Sequence, residues 1–277
     1  MEFTSAAAEQ RFDELVAAAD RCVVGLDFDG VLSPIVDDPA RAHIHPDAQQ
    51  VLVELAEVVR AVAVITGRPA RQALALGDLD AVGAELGEHG KELFVFGQYG
   101  NERWSSTQRR VISPRPPHGL STFERDLPAV LRRADAAGAH IEEKGLAVAV
   151  HTRRLPDPVA ARERLLDPIR ELAERHGLVI EPGRNVIEVR SPGMDKGHAV
   201  RTLVAEQDAG GFLFAGDDLG DLDAFAAVEE LREQGLPTLL VCSLSEEESA
   251  LASRADVLVK GPEGVLDLLR QVARRAD

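Results

Sequence analysis

Two clusters of aspartates each follow a run of apolar residues. Asp27 and Asp29 end the run CVVGLDFD (22–29), and the cluster GDDLGD (216–221) directly follows FLFA. Residues two apart in an extended chain point to the same side, so the carboxylates of Asp27 and Asp29 share one side. Open α/β sheets bind ligands at the carboxyl ends of their strands. The two clusters therefore indicate a site at such an edge, although Asp-x-Asp-Gly also occurs in turns and calcium loops.

The second cluster indicates a metal ion. Asp217, Asp218 and Asp221 place three like charges close together, and such charges repel one another unless a cation lies among them. Ligands that are all oxygen favour Mg²⁺ over Zn²⁺. The alternative is a Gly-Asp turn with a helix N-cap, which is common for one aspartate and less so for three.

A hydroxyl and a cation complete the set. Thr66 ends the run AVAVIT (61–66), and Lys196 follows Asp195, a candidate cap at the start of a helix. Taken singly, such a threonine is usually structural and such a lysine solvated. Beside a carboxylate nucleophile, a second carboxylate for acid/base work and a metal site, they supply what phosphoryl transfer through an aspartyl-phosphate requires.

Alternating apolar runs and helical segments predict how these residues are positioned. The first and last parts of the chain read as strand, helix, strand, helix, which indicates an α/β fold with a doubly wound parallel sheet. The segment VISPRPPHG (111–119) reads as a connector. We predict a core formed by residues 1–104 and 191–277, with an inserted α+β cap at 105–190.

Composition excludes several classes of protein. The 31 Lys+Arg and 47 Asp+Glu give a formal net charge of −16, which argues against a nucleic-acid binder. No apolar run is long enough to span a membrane, and the first residues do not read as a secretory signal, so we expect a cytoplasmic location. Cys22 and Cys242 lie in apolar runs and are expected to be buried thiols.

The four motifs, in this order and on these elements, resemble the haloacid dehalogenase superfamily of phosphatases. Within it the chain is similar to the trehalose-6-phosphate phosphatases, especially actinobacterial forms. The segments that carry this likeness are LDFDGVLSPI (26–35), VITGRP (64–69), GQYGNERW (97–104), IEEKGLAVAVHTR (141–153), PGRNVIEVRSPGMDKG (182–197) and FAGDDLGDLDAF (214–225).

The resemblance implies a role for each matching residue. It implies a nucleophile at Asp27, a general acid/base at Asp29 and phosphate binding by Thr66 and Lys196. The implied Mg²⁺ ligands are Asp27, the Asp29 backbone carbonyl and Asp217, supported by Asp218 and Asp221. Arg68 is a further candidate for the substrate's phosphate because its charge offsets the acidic surface. The implied sugar-binding residues of the cap are Glu142, Lys144, Arg184 and Glu188.

These implications predict a Mg²⁺-dependent phosphatase that hydrolyses trehalose 6-phosphate to trehalose and phosphate. Val31, Gly220 and Leu222 depart from the usual motifs, where Thr, Thr and Glu are expected, and the departures bear on the substrate rather than on the chemistry. Two alternatives are another capped sugar phosphatase or a sugar phosphomutase. A third is a catalytically silent domain that binds a sugar phosphate, and a trehalose-6-phosphate synthase is the candidate protein partner.

Overall fold

The polypeptide folds into two units, the second inserted into the first. In this computed structural model, described for residues 1–36, 38–183, 185–193, 195–244 and 251–276, one unit comprises 1–113 and 195–277 and the other 114–194. The predicted boundaries, after 104 and after 190, lie earlier in the chain. Residues beyond 104 stay with the first unit because Arg103 and Ile112 exchange two backbone hydrogen bonds, of 2.9 and 2.7 Å.

The first unit is built on an eight-stranded sheet. Its strands are β1 (Glu2–Phe3), β2 (Cys22–Leu26), β3 (Ala61–Ile65), β4 (Leu93–Gly97), β5 (Glu102–Ser105), β10 (Gly211–Gly216), β11 (Thr238–Leu244) and β12 (Val257–Lys260). Their order across the sheet is β1-β12-β11-β10-β2-β3-β4-β5. The six inner strands are parallel, and the edge strands β1 and β5 are antiparallel to their neighbours. The predicted doubly wound parallel sheet is confirmed.

Helices cover both faces of this sheet. They are α1 (Ala6–Ala17), α2 (Ala48–Val58), α3 (Ala70–Gly77), α4 (Leu79–Glu88), α7 (Lys196–Gln207), α8 (Leu222–Glu233) and α9 (Gly261–Ala276). Helices α7 and α8 pack on one face through residues such as Leu203 and Phe225, while the other five pack on the opposite face. Because both faces are covered, every residue of β2, β3 and β10 is buried. This double burial explains their continuous apolar sequences.

The second unit is a four-stranded antiparallel sheet with two helices on one face. Its elements are α5 (Leu120–Arg133), β6 (His140–Glu143), β7 (Ala147–His151), α6 (Pro158–Arg175), β8 (Val179–Gly183) and β9 (Val186–Arg190), with strand order β6-β7-β9-β8. Val148, Val150, Ile187 and Val189 join α5 and α6 in one core. By strand alternation, the residues between them point to the opposite face. Among the residues described in both units, no helix has the length and apolar character needed to cross a membrane.

Candidate active site

The two aspartate clusters meet at the carboxyl edge of the central sheet. Strands β2 and β10 are parallel neighbours, and the backbone N–H of Asp27 donates to Ala215 at 2.9 Å. Asp27, Asp217 and Asp221 are buried, and each offers a carboxylate oxygen that lies within 4.8 Å of the others. The strand register therefore brings together groups that are about 190 positions apart in sequence.

A glycine permits the close approach of the two clusters. Gly30 adopts a φ of +71°, in the left-handed region. A Cβ atom at this position would lie 2.2 Å from Oδ2 of Asp217, which is inside van der Waals contact. Both the backbone conformation and the contact require glycine here. This requirement gives the glycine of the Asp-x-Asp-Gly motif a physical role.

Lys196 is the first residue of α7 and is almost fully buried. The Asp195 side chain caps the helix by accepting from the His198 N–H at 2.7 Å. The Lys196 Nζ lies 2.8 Å from Oδ1 of Asp27 and 2.6 Å from Oδ1 of Asp221. The ammonium group thus lies between carboxylates from two different strand ends.

The position of Lys196 depends on the packing of α7 against α8. At the adjacent residue, Gly197, a Cβ atom would lie 2.4 Å from the backbone carbonyl oxygen of Asp223. The two helices therefore approach each other backbone to backbone at this point. A larger residue would push the start of α7, and Lys196 with it, away from the acidic cluster.

Asp221 contacts more of the cluster than any sequence pattern indicated. Its Oδ1 accepts from Lys196, and its Oδ2 accepts from the backbone N–H groups of Asp217 at 2.9 Å and Asp218 at 3.3 Å. Asp218 in turn accepts from the Gly220 N–H at 2.8 Å. Both oxygens of Asp221 are therefore engaged in holding the loop and the lysine.

Burial and crowding raise the pKa values of the acids. Burial, and then the nearby charge of Asp221, raise the pKa of Asp27 well above its usual range, while Lys196 acts in the opposite direction. Burial and then the charge of Asp27 raise the pKa of Asp217 to about 10. Burial alone would lower the pKa of Lys196, but Asp221 and Asp27 hold it well above its usual value. Burial and the neighbouring carboxylates therefore disfavour the ionised forms of Asp27 and Asp217, and the positive charge of Lys196 acts against this effect.

The three carboxylates fit a divalent cation. Their three negative charges exceed the single positive charge of Lys196 by two (3 − 1 = 2). The donors are all oxygens, which a hard cation prefers. Both oxygens of Asp221 accept hydrogen bonds, from Lys196 and from the Asp217 N–H, and the assignment of Asp27 and Asp217 as direct ligands stays a prediction.

Thr66 and Arg68 lie at the end of β3, beside the first cluster. The buried Thr66 hydroxyl accepts from the Arg68 N–H at 3.1 Å. The Arg68 guanidinium binds both oxygens of Asp29, Nε to Oδ2 at 2.6 Å and the terminal nitrogen NH2 to Oδ1 at 2.7 Å. It also donates to the Pro39 carbonyl at 2.9 Å. Arg68 therefore contacts the predicted acid/base residue, and its role in phosphate binding stays a prediction.

No role was assigned to Gln98 or Tyr99 from the sequence, although their segment is one of those that carry the family likeness. Gln98 and Tyr99 follow β4 with φ values of 47° and 58°, in the left-handed region that bulky residues rarely adopt. The Tyr99 N–H donates to the Thr66 carbonyl at 3.0 Å, and a Cβ at Gly67 would lie 2.8 Å from the Tyr99 ring. Strained backbone of this kind concentrates at functional sites. Apart from the family likeness of the segment, the sequence signal is an aromatic residue between two glycines after a buried strand.

The predicted sugar-binding residues lie in the second unit. Glu142 and Glu188 are both aligned with Ala149 of β7, so they share one face of the sheet, the face opposite α5 and α6. The Lys144 Nζ lies 2.5 Å from Glu188 Oε2. A hydrogen bond to His151, 2.9 Å long, lowers the pKa of Glu142. Arg184 lies outside the described residues.

Comparison with known proteins identifies the family. A family model described as trehalose-phosphatase matches residues 25–258. The chain belongs to the trehalose-phosphatase family. This family member is 29% identical over 280 residues to a trehalose 6-phosphate phosphatase of Zea mays, in a match covering 96% of this chain and 74% of that protein.

Two further matches to this trehalose-phosphatase family member are a short part of a much longer protein and a solved structure. It is 34% identical over 216 residues to an uncharacterized glycosyl hydrolase of Mycobacterium tuberculosis, in a match covering 75% of this chain and 15% of that protein. The structure of the C-terminal domain of trehalose-6-phosphate phosphatase from C. albicans superposes with a TM-score of 0.78 at 20% identity, covering 99% of this chain and 98% of that one. The fold is that of the haloacid dehalogenase-like hydrolases.

Proposed function

We propose that this chain hydrolyses trehalose 6-phosphate to trehalose and inorganic phosphate. The observation that carries the proposal is the buried contact of Lys196 with Asp27, beside two further carboxylates at the carboxyl edge of the sheet. Membership of the trehalose-phosphatase family supports the substrate. A binding module has no need of a buried carboxylate nucleophile next to a second carboxylate two residues on.

The reaction follows two displacements at phosphorus. An oxygen of Asp27 attacks the phosphorus atom, the bond to the sugar oxygen breaks, and Asp29 gives that oxygen its proton. A water molecule then attacks the phosphorus of the aspartyl-phosphate and passes a proton to Asp29, which releases phosphate and restores Asp27. Lys196 and the Thr66 hydroxyl hold the phosphoryl oxygens.

A bound Mg²⁺ is the proposed cofactor. It would neutralise charge on the transferring phosphoryl group and orient it for attack. In our proposal Asp27, Asp217 and the Asp29 backbone carbonyl hold the ion, and Asp221 and Asp218 support this arrangement. A cation bound here would offset the mutual repulsion of the buried carboxylates and favour their ionised forms, which are the forms that bind a metal.

Arg68 is best described as a residue that positions Asp29. A guanidinium that donates to both oxygens of one carboxylate fixes the plane and direction of that carboxylate. The Arg68 side chain also stacks over the Phe28 ring, with Cζ 5.4 Å from the ring centroid, so it is itself held in place.

We propose that the sheet of the second unit binds the sugar part of the substrate. The small side chain of Ala149 lies between Glu142 and Glu188 in the register. The sheet surface is therefore shallow between these two charged side chains. Charged side chains around a shallow surface can bind the hydroxyl groups of a sugar, because hydrogen bonds to charged groups are stronger than those to neutral groups. The deeply buried Glu188 and its partner Lys144 are the central pair.

Variants on this face should distinguish sugar substrates from simple ones. Lys144→Ala and Glu188→Gln should each lower kcat/KM for trehalose 6-phosphate about tenfold or more, since a hydrogen bond to a charged group contributes about 1.5–3 kcal/mol. An aryl phosphate has no sugar hydroxyls, so its hydrolysis should change little. Glu142→Gln and Glu143→Gln form a matched pair, because neighbouring strand residues face opposite sides.

Steady-state kinetics on both substrates provide the measurement. Only Glu142→Gln of the matched pair should affect the sugar substrate. Equal losses on both substrates would indicate damage to the fold rather than to sugar binding. No loss on either substrate would show that these residues are ordinary surface charges and that the sugar-reading role is wrong.

The activity itself is tested by phosphate release from a panel of sugar phosphates, with Mg²⁺ and with a chelator. We expect release from trehalose 6-phosphate that requires Mg²⁺ and exceeds release from the other sugars. A phosphomutase would instead need a bisphosphate activator and release little phosphate. A silent regulatory domain would bind the sugar phosphate without releasing any. The cytoplasmic location and a trehalose-6-phosphate synthase partner stay predictions.

A further inference from the structure

The turn that follows β4 has an unusual backbone conformation. Gln98, Tyr99 and Gly100 have φ values of 47°, 58° and 98°, so three consecutive residues lie in the left-handed region. This region suits glycine but is costly for a glutamine or a tyrosine. The surrounding structure must therefore impose the conformation at Gln98 and Tyr99. We call residues 98–100 the tyrosine turn.

The backbone of the tyrosine turn binds the loop that follows β3. The Tyr99 N–H donates to the Thr66 carbonyl at 3.0 Å, and the Gln98 N–H donates to the Arg68 carbonyl at 2.8 Å. Between these two carbonyls lies Gly67, where a Cβ atom would lie 2.8 Å from Cζ and 2.9 Å from the hydroxyl oxygen of Tyr99. The loop that carries Thr66 and Arg68 therefore lies directly against the Tyr99 ring.

The same ring lies beside the loop of residues 217–221, which we call the acidic loop. A Cβ atom at Gly220 would lie 3.7 Å from Cε1 of Tyr99, which is an ordinary van der Waals distance. The Gly220 N–H donates to the Asp218 side chain at 2.8 Å. The two loops beside the ring follow β3 and β10, which lie on either side of β2 in the sheet. The Tyr99 ring thus approaches loops on both sides of the strand that precedes Asp27.

The tyrosine turn also packs against the start of α7. A Cβ atom at Gly100 would lie 3.3 Å from Cβ of Ala199 and 3.5 Å from the carbonyl oxygen of Asp195. Asp195 caps this helix and directly precedes Lys196. The loop after β3, the acidic loop and the start of α7 therefore all adjoin one turn of three residues.

These three segments carry groups that have to meet at one phosphoryl group. Thr66 lies in the first segment, and Lys196 lies in the third, where its ammonium group is 2.6 Å from Asp221 of the second. Groups from separate segments act together only if their separation is fixed, and a misplacement of about 1 Å can lower a rate about a hundredfold. Tyr99 binds the Thr66 carbonyl with its N–H and lies beside two of the segments with its ring.

We propose that Tyr99 is a positioning residue for the reaction, whose ring fixes the separation between the loop that carries Thr66 and the acidic loop. The inference rests on the proposed function, which assigns Thr66 and Lys196 to the phosphoryl group. Tyr99 acts through these residues rather than on the substrate.

Tyr99→Asn tests this role, with Tyr99→Phe as the variant that keeps the ring. Asparagine tolerates the left-handed conformation, so the turn should still form. Tyr99→Asn should lower kcat about tenfold or more for both trehalose 6-phosphate and 4-nitrophenyl phosphate, because both substrates place a phosphoryl group beside Thr66. Tyr99→Phe should stay within about threefold of the unmodified chain on both substrates, as expected when the packing of the ring is kept.

Urea unfolding separates positioning from stability. It gives the folded fraction of each variant under assay conditions, and a purely structural role would leave the kcat of the fully folded chain unchanged. Arg109→Asn is the matched control, because Arg109 is exposed and also has a left-handed φ, of 50°. Its N–H donates to the carbonyl of Ser105, which pairs with Phe94 near the amino end of β4, so this substitution should leave the kinetics unchanged.

Gly67→Ala probes the same contact from the opposite side. Its methyl group would lie 2.8 Å from Cζ of Tyr99 and should push the ring and the loop apart, which should lower kcat about tenfold. Combined with Tyr99→Asn, it should cause no further loss, because the ring no longer occupies that space. Such non-additivity is expected of two residues that act through one contact.

The inference is overturned if fully folded Tyr99→Asn keeps kcat within about twofold of the unmodified chain. A loss for Tyr99→Phe as large as that for Tyr99→Asn would also overturn it, since the hydroxyl rather than the ring would then matter. If Tyr99→Asn does not fold, Gly67→Ala decides, and unchanged kinetics for that variant would reject the role.

Failure of the proposed function would be seen in the unmodified chain instead. Phosphate release from 4-nitrophenyl phosphate without release from trehalose 6-phosphate would refute the substrate alone, and the aryl phosphate would still test Tyr99. Release from neither substrate would overturn the proposed function and this inference together.

Discussion

Replacing Asp27 with asparagine should lower kcat for trehalose 6-phosphate at least about a hundredfold, because an amide cannot serve as the nucleophile that forms the covalent intermediate. The side chain keeps nearly the same size, so the packing around it should be preserved. Phosphate release under saturating substrate and Mg²⁺ gives the measurement, and circular dichroism checks the fold. Asp267→Asn, at a side chain 60% exposed, is the matched control and should retain full activity.

The size of this loss discriminates between two roles for Asp27. A residue that only helps to bind a cation could be replaced with a partial loss, offset by higher Mg²⁺ concentration. A nucleophile cannot be rescued in this way. Turnover above about a hundredth of the unmodified rate, or recovery with added Mg²⁺, would rule out the assignment of Asp27 as nucleophile.

The second large effect is expected at Lys196. Lys196→Met should cost about 2–4 kcal/mol of transition-state stabilisation, measured from kcat/KM, because a charged donor to the phosphoryl group is lost. It should also reduce the free energy of unfolding, since Asp27 and Asp221 lose a buried partner 2.8 and 2.6 Å away. Urea unfolding measures the second effect independently of the first.

Lys260 provides a control that distinguishes loss of charge at the site from loss of a lysine charge elsewhere on the protein. Lys260→Met removes an exposed ammonium at the end of β12 and should change neither kinetics nor stability appreciably. Kinetics of Lys196→Met within about twofold of the unmodified chain would mean that this lysine has no part in the reaction. A loss of stability with unchanged kinetics would make it a purely structural residue.

The parts of the fold predicted from sequence are those with a strong local signal. Strands β2, β3 and β10 are buried on both faces, so their uninterrupted apolar runs are visible in the sequence. The aspartates, Thr66 and Lys196 could be singled out in the sequence because they directly follow such runs or begin a helix, and the structure places them at one edge of the sheet. Cys22 and Cys242 are both buried in the structure, as their apolar surroundings predicted.

The parts that were missed depend on contacts between distant residues. Strand β1 has only two residues, and it exists because Phe3 pairs with Val257 at the edge of the sheet. The bond of Arg68 to Asp29 joins residues 39 positions apart and follows from the alignment of β2 with β3. The left-handed turn at Tyr99 is held by a hydrogen bond to Thr66. None of these features has a periodic pattern of its own.

The glycines at the site have a consequence for how mutational surveys of this chain should be interpreted. Gly30 and Gly197 carry no side chain that can touch a substrate. A Cβ atom at Gly30 would nevertheless lie 2.2 Å from Asp217 Oδ2, and one at Gly197 would lie 2.4 Å from the Asp223 carbonyl oxygen, so any side chain would clash. A saturation library scored only by activity would rank both positions with Asp27 and Lys196. A parallel score for abundance in the cell would not separate them either if the substituted chains still fold with the site displaced. Loss of activity on substitution at this edge therefore reflects the space available to a side chain as well as a role in the reaction. Catalytic roles have to be assigned from conservative replacements of side chains that can react.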